Sequence, residues 1–280
     1  MKRGLKVFVG ACTLVTSIGL GFISWSFDVA KAPEVTADIA KPNYSYNCID
    51  GASDQPLDQD GVLTVSVWNI YKQQRENWHQ AMELFTADSE LVLLQEASLN
   101  SSLKDYLDAS QWQVTMANAF KFLNTSAGVM NLSSVEAIET CAYLAMEPWL
   151  RLPKSALLAR FSLSNGQILA VVNLHGVNFA LGLDEYKDQM DRLAEVLSKH
   201  QGPVILAGDF NSWRQGRIDV VREFAEGLRL KAVVLSIDQR STVLGKPLDH
   251  LYYRGLRLMK AEAPKTEASD HNPIIATFRL

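Results

Sequence analysis

Residues 204–213 read Val-Ile-Leu-Ala-Gly-Asp-Phe-Asn-Ser-Trp. Four apolar residues bounded by turn formers predict a short strand buried on both faces. Asp209 and Asn211 then stand at its end, where a rigid scaffold presents reactive groups. The same grammar recurs on either side of this stretch. Strands are predicted over 62–68, 90–95, 112–117, 128–132, 135–145, 156–161, 168–174, 231–235, 248–253, 257–262 and 273–278, all short and rich in β-branched or aromatic residues. Helical spacing appears at Trp78, Met82 and Phe85, at Met190, Leu193, Val196 and Leu197, and at Val220, Val221, Phe224 and Leu228. Strands in this number, with few helices between them, imply an α/β domain over 61–280 in which two sheets pack together.

Polar residues close many of these strands. Asn69 ends the first and Glu96 the second; His175 follows Leu174, and Asp249-His250 and Asp270-His271 flank the last apolar segments. Each has an ordinary reading alone, as a turn former, a helix cap or a solvated charge. Together they are four carboxylates, two amides and three of the five histidines, all at strand termini. Carboxylate and amide oxygens suit a hard divalent cation. Imidazoles beside carboxylates can orient a water or stabilise developing charge. Such a set fits attack of water on phosphorus, where catalysis is mostly positioning and charge stabilisation.

The ordered motifs Trp68-Asn69, Gln95-Glu96, Asn173-x-His175, Gly208-Asp209-Phe210-Asn211, Leu248-Asp249-His250 and Ser269-Asp270-His271 resemble the endonuclease/exonuclease/phosphatase superfamily, which includes DNase I-like nucleases. The stretches VWNIYKQQR (67–75) and GDFNSW (208–213) look like a short bacterial branch of it. The resemblance implies a four-layer α/β/β/α sandwich of two mostly antiparallel sheets with outer helices. It implies Glu96 as the principal ligand of Mg²⁺ or Mn²⁺, with Asn69 and Asp270 supporting it. Asp209 would align or deprotonate the attacking water, and Asn211 would bond a non-bridging phosphate oxygen. His271 would contact the scissile phosphate, oriented by Asp249, and His175 would lie on the leaving-group side.

Substrate is less legible. Lys72, Arg75, Arg214 and Arg217 follow motif residues and could hold phosphate oxygens, or could be solvated helix starts. Tyr71, Trp213, Tyr252 and Tyr253 could stack on a ring or pack the rim. With a net charge of −4 and pI near 5.8, avid non-specific grip on duplex DNA is not expected. No long basic insertion is visible, nor an extended hydrophobic loop of the kind that dips into lipid. The expectation is a metal-dependent phosphodiesterase acting on nucleic acid, nucleotide or a lipid head group. A phosphomonoesterase, or a membrane-anchored binding protein without activity, are the alternatives.

The first residues carry a separate signal. Lys2, Arg3 and Lys6 precede an uncharged stretch over 7–27, and Asp28 follows it. About 20 apolar residues at ~1.5 Å each span a hydrocarbon core of ~30 Å. The flanking charges put the amino terminus inside and the rest outside. Residues 1–27 are therefore expected to form a signal anchor in the inner membrane, preferred over a cleaved signal peptide. Residues 28–60 read as a linker, the domain faces the periplasm, and a monomer is expected. In an oxidising compartment Cys48 and Cys141 could pair or remain free thiols.

Overall fold

The structure is a computed structural model that describes residues 26–30, 32–37 and 47–280; the expected signal anchor lies almost wholly outside them. Among the described residues no helix is long and apolar enough to cross a membrane. The elements in chain order begin with β1 (Phe27–Asp28), β2 (Val35–Thr36), β3 (Cys48–Asp50), β4 (Val62–Asn69), α1 (Trp78–Thr86), β5 (Leu91–Ser98) and α2 (Ser101–Asp108). They continue with β6 (Gln113–Phe122), β7 (Thr125–Ser133), β8 (Glu139–Met146), β9 (Pro153–Ser162), β10 (Ile168–His175), α3 (Asp184–Ser198), β11 (Val204–Asp209) and α4 (Gln215–Gly227). The last are β12 (Lys231–Ala232), the hairpin β13 (Thr242–Val243) and β14 (Lys246–Pro247), β15 (Asp249–Arg254), β16 (Arg257–Glu262) and β17 (Ile274–Arg279).

Two sheets dominate. One runs β1-β6-β7-β5-β4-β17-β16, with β2 also on β6; the other runs β12-β15-β11-β10-β9-β8-β3. Each contains one parallel pair, β4 with β5 and β10 with β11, bridged by α1 and α3 respectively, while the other pairings are antiparallel. Side-chain alternation along β5 shows why. Leu91 and Leu93 enter the core between the sheets, whereas Val92 and Leu94 join the cluster beneath α1 and α2. On the far side α3 and α4 lay Tyr186, Met190, Leu193 and Phe224 against Val172, Leu174 and Leu206. A strand apolar on both faces has to be covered on both, and the result is the expected four-layer sandwich.

Several boundaries differ from expectation. The strand predicted over 135–145 begins only at Glu139, because 134–138 turn between β7 and β8. The helix α2 was not expected, since Leu103 and Leu107 are its only buried residues. Asn100 starts it, its side chain accepting the Leu103 N–H at 2.9 Å.

The described residues of the stretch 28–60, expected as a linker, pair with both sheets. Within them β2 pairs with β6 and β3 with β8, and β1 at their start pairs with β6 as well. Val35 and Leu57 are fully buried. Asp58 accepts from Gly61 N–H and from Ser164 N–H and Oγ, tying this stretch to the loop after β9. Polar composition concealed these contacts, because each uses one to three residues and no periodic face.

Cys48 and Cys141 face each other across β3 and β8 and form a disulfide. Closing a loop of this length stabilises a fold by up to about 5 kcal/mol, and disulfides typically deliver roughly 2–4 kcal/mol. The double variant C48S/C141S should lose about that much in urea titration, and reduction of the unaltered protein should produce the same shift.

Candidate active site

Strand ends from both sheets meet at one mouth. Asn69 and Glu96 come from β4 and β5, and His175 and Asp209 from β10 and β11. Asp249 opens β15, while Asp270 and His271 precede β17. Register makes part of this automatic, because His175, Asp209 and Asp249 are direct cross-strand partners in one row. A cleft of about 610 Å³ is lined by Glu96, His175, Asp209, Asn211, Asp270 and His271.

Glu96 is aimed by its backbone. It has φ of 52° in a bulge where the β5–β7 register shifts between Leu94 and Ala97. A bulge turns one side chain out of the strand's alternation. Asn211 at 51° and the consecutive Tyr71, Lys72 and Gln73 at 49–54° also hold the left-handed region. For residues with a Cβ this is strained backbone, and strain of this kind gathers at functional sites.

Asp209 is the hub. Its Oδ2 accepts from Asn69 Nδ2 at 3.0 Å and its Oδ1 from Asn211 N–H at 2.9 Å. The Nε2 of His175 lies 3.5 Å from Asp209 Oδ2 and 3.9 Å from Glu96 Oε1, so carboxylates from both sheets bracket one imidazole nitrogen. His271 places Nδ1 2.7 Å from Asp249 Oδ2, and its Nε2 is 3.9 Å from Asp209. Ser269 steadies this side, its Oγ donating to the Asn69 carbonyl at 2.7 Å and accepting His271 N–H at 3.1 Å.

Electrostatics separate the groups. Burial lifts the Asp209 carboxyl to about 6; the His271 charge pulls against this and Asp249 adds to it. Burial alone would lower His271, but the Asp249 and Asp209 carboxylates outweigh it and push the imidazole up to about 10. His175 goes the other way, held well below the ordinary histidine value first by burial and then by the charge of Lys154. Lys154 Nζ lies 2.9 Å from His175 Nε2. An ammonium has no lone pair to give, so the imidazole accepts there and is neutral.

Carboxylate oxygens of Glu96 and Asp270, both in the cleft lining, and the Asn69 amide oxygen at its base are of the chemical kind a hard cation takes. Among the described residues, the acidic and histidine side chains of the mouth whose ligand atoms lie within 4.8 Å of one another are Asp209, Asp249 and His271. Within this trio the hydrogen bond is between His271 Nδ1 and Asp249, while His271 Nε2 stands 3.9 Å from Asp209. Asp270 is exposed at the rim, its Oδ1 3.3 Å from Ser269 Oγ.

The basic residues divide. Lys72 forms an ion pair with Glu96 and so reaches the mouth. Arg75 instead stacks over the Tyr71 ring at 5.9 Å. Arg214 donates to the carbonyls of Leu181 and Gly182 and stacks over Trp213, so its guanidinium is spent on a loop. Arg217 is buried beneath the site, donating to the carbonyls of Val177, Asn178 and Asn211. Of the basic residues expected to meet substrate, Lys72 lies against Glu96, whereas Arg75 and Arg214 are engaged in these contacts. Lys154 does meet the site and was missed. It opens β9 with no motif residue beside it in sequence.

His250 points the other way from Asp249, as strand alternation requires. It packs edge-on to Phe210, with Ser212 Oγ 2.7 Å from Nε2. His79 and His200 are structural, the first beside Glu83 and Tyr106, the second against the Pro203 carbonyl.

The sequence model of the "Endonuclease/Exonuclease/phosphatase family" matches residues 66–271. A UPF0294 protein of Vibrio campbellii is 45% identical over 274 residues, which is 96% of this chain and 97% of that one. The human Nocturnin catalytic domain, solved with a bound sulfate anion, superposes with a TM-score of 0.60 at 17% identity, covering 82% of this chain and 95% of that one. A Bacteroides thetaiotaomicron mannosyl-6-phosphatase gives 0.58 at 16% identity, covering 78% of this chain and all (100%) of that one. At such identities the likeness is one of fold.

Burial holds His250 near 3, below an unfolded value of about 6.5. Only the unfolded chain takes up that proton between these values, so stability is full above pH 6.5 and falls as pH drops towards 3. In urea titrations the stability advantage of the unaltered protein over His250→Gln should shrink steadily across this window.

Proposed function

The chain belongs to the endonuclease/exonuclease/phosphatase family, and from that premise we propose that it hydrolyses a phosphodiester with a divalent cation, Mg²⁺ or Mn²⁺, at the mouth between its sheets. Proteins of the family act on phosphoester bonds and depend in general on divalent metal. The observation that carries the reading is the bracketing of His175 Nε2 by Asp209 and Glu96, since it joins the two sheets' contributions at one point.

A cation held by Glu96, with Asn69 and Asp270 beside it, would polarise the phosphoryl oxygens and offset developing negative charge. It would compete with Lys72 for the Glu96 carboxylate. The chain's own groups then divide the remaining work. Asp209, fixed by Asn69 and Asn211 N–H, aligns the attacking water and takes its proton; its raised pKa makes it a better base than an exposed carboxylate. Asn211 sits on the same turn to bond a non-bridging oxygen. His271, kept cationic by Asp249, faces the negative phosphoryl group. On the leaving side the imidazole of His175 is neutral, and the Lys154 ammonium beside it supplies the positive charge for the departing oxygen.

The disulfide supports an oxidising compartment, as expected of a domain held outside the inner membrane by residues 1–27. Retention of that segment is supported by the pairing of β1 with β6 and by fully buried Val35 in β2, contacts that removal of the chain through these residues would abolish.

Full-length protein should cleave bis(p-nitrophenyl) phosphate with Mg²⁺ or Mn²⁺ and lose this in EDTA; persistence in EDTA refutes the metal's role. Glu96→Ala and Asp209→Asn should each lower kcat by about a hundredfold or more with an unchanged melting temperature, whereas His79→Ala should behave as the unaltered chain. The monoester p-nitrophenyl phosphate, assayed in parallel, separates phosphatase from diesterase. Alkaline phosphatase fused after residue 45 should be active, and an inactive fusion contradicts the outward orientation.

A further inference from the structure

Beside Glu96 the mouth opens into a second cavity of about 640 Å³, within the range of small-molecule pockets, roughly 300–1,000 Å³. Its lining changes character from one end to the other. Lys72, Glu96, Lys154 and His175 stand at the end shared with the proposed site. Away from them the wall is made largely of Phe27, Phe120, Phe122, Leu150, Leu152 and Phe179.

The apolar wall is not built to read a nucleobase. The Phe27 ring packs on Phe122 at 5.0 Å and on Phe120 at 5.8 Å, so these rings are committed to one another rather than spaced to admit a flat ring. Among the polar lining residues, Glu147 Oε1 accepts the N–H groups of Asn178 and Phe179, and Asn100 Oδ1 caps α2. A base edge buried here would leave hydrogen-bonding groups unmatched, a cost that hydrocarbon does not incur. Burial of hydrocarbon in such a chamber is favourable.

Two observations place the chamber at a lipid surface. Phe122, Leu123, Leu150 and Phe179 line this cavity and are 42–53% exposed, and Trp149 and Leu181, in the lining of the adjoining cleft, are 63% and 74% exposed. Exposed apolar groups gathered in this way mark an interaction surface. The sequence shows no single hydrophobic loop because the patch is assembled from three short ones. Phe27, moreover, lies in the cavity wall and directly follows the uncharged stretch 7–26. The anchor expected over 1–27 would set the opening beside the bilayer.

We propose that the substrate is an amphiphilic phosphoester drawn from the membrane, its hydrocarbon lodged in this cavity and its anionic phosphorus among Lys72, Lys154, His175 and Glu96. This rests on the phosphoesterase reading and names the substrate class for the same site. The positive groups lie only at the reacting end, so polarity alone orients the molecule.

The test uses full-length protein in detergent micelles and a series of alkyl p-nitrophenyl phosphates from methyl to dodecyl. With Mg²⁺, kcat/KM should rise by about fourfold per methylene, the scale of burying one CH₂, and level off once the cavity is filled. Ala127→Phe, which fills the wall, and Leu152→Asp, which charges it at a partly exposed position, should each lower the dodecyl-to-methyl ratio by at least about tenfold. In EDTA, dodecylphosphonate should bind by calorimetry far more tightly than methylphosphonate. Hydrolysis without chain-length dependence overturns the lipid assignment and leaves the phosphoesterase standing. Tight dodecylphosphonate binding without hydrolysis of any ester supports the apolar chamber and removes the enzymatic reading beneath it. Preference for an oligonucleotide over the dodecyl ester also overturns the proposal.

Discussion

Two sheets packed through apolar side chains have no intrinsic reason to stop at one offset, and a site shared between them needs one. Gln95 and Asn173 supply it. Both are fully buried, and Gln95 Nε2 donates to Asn173 Oδ1 at 2.7 Å across the interface. Asn173 Nδ2 in turn reaches the carbonyls of Leu94 and Met130 and the Asn131 side chain. Sliding one sheet past the other would strand these groups away from water, at about 1–3 kcal/mol for each left unpaired. Glu96 is the next residue after Gln95, and His175 lies two beyond Asn173. The distance between the two reactive groups is therefore set by an amide contact just beneath them.

The mouth itself runs against stability. Asp209 and Asp249 are buried close together, and Glu96, Asn211 and Tyr71–Gln73 hold left-handed backbone. A domain selected only for folding would replace such groups with apolar ones, as buried charge rarely outperforms good packing. Arg217 shows the support this requires. Its guanidinium, sandwiched between Tyr186 and Trp213, fastens the carbonyls of the 177–178 and 211 turns, so that both loops carrying site residues are pinned from below.

Much of this was legible in the sequence because its signals were of the right kind. Strands apolar on both faces predict covered sheets, and polar residues at their ends predict a shared edge; Asn69, Glu96, His175, Asp209, Asp249 and His271 all arrive there. What escaped notice lacked a pattern. Lys154 is a single lysine at a strand start, and only its 2.9 Å approach to His175 gives it meaning. Arg214 and Arg217 look alike in sequence, yet one serves a loop carbonyl at the surface and the other is buried. The contacts of Val35 and Leu57 are one-residue insertions into the core, invisible to any periodicity. Cys48 and Cys141 are 93 residues apart, and only the register of β3 on β8 brings them opposite.

The path of the amino-terminal segment has a mechanical corollary. Residues 27–28 and 35–36 hold to β6 at the margin of one sheet by two-residue pairings, and Cys48 is bonded covalently to β8 at the margin of the other. A pull on the amino terminus would peel the short pairings first and then arrive at a sulfur–sulfur link. Load from a moving tether would pass into β8, an edge neighbour of the far sheet, rather than into β4 or β5. Asn69 and Glu96 on those strands are shielded from such a pull, whereas Phe27 and the cavity wall it forms are the first to yield.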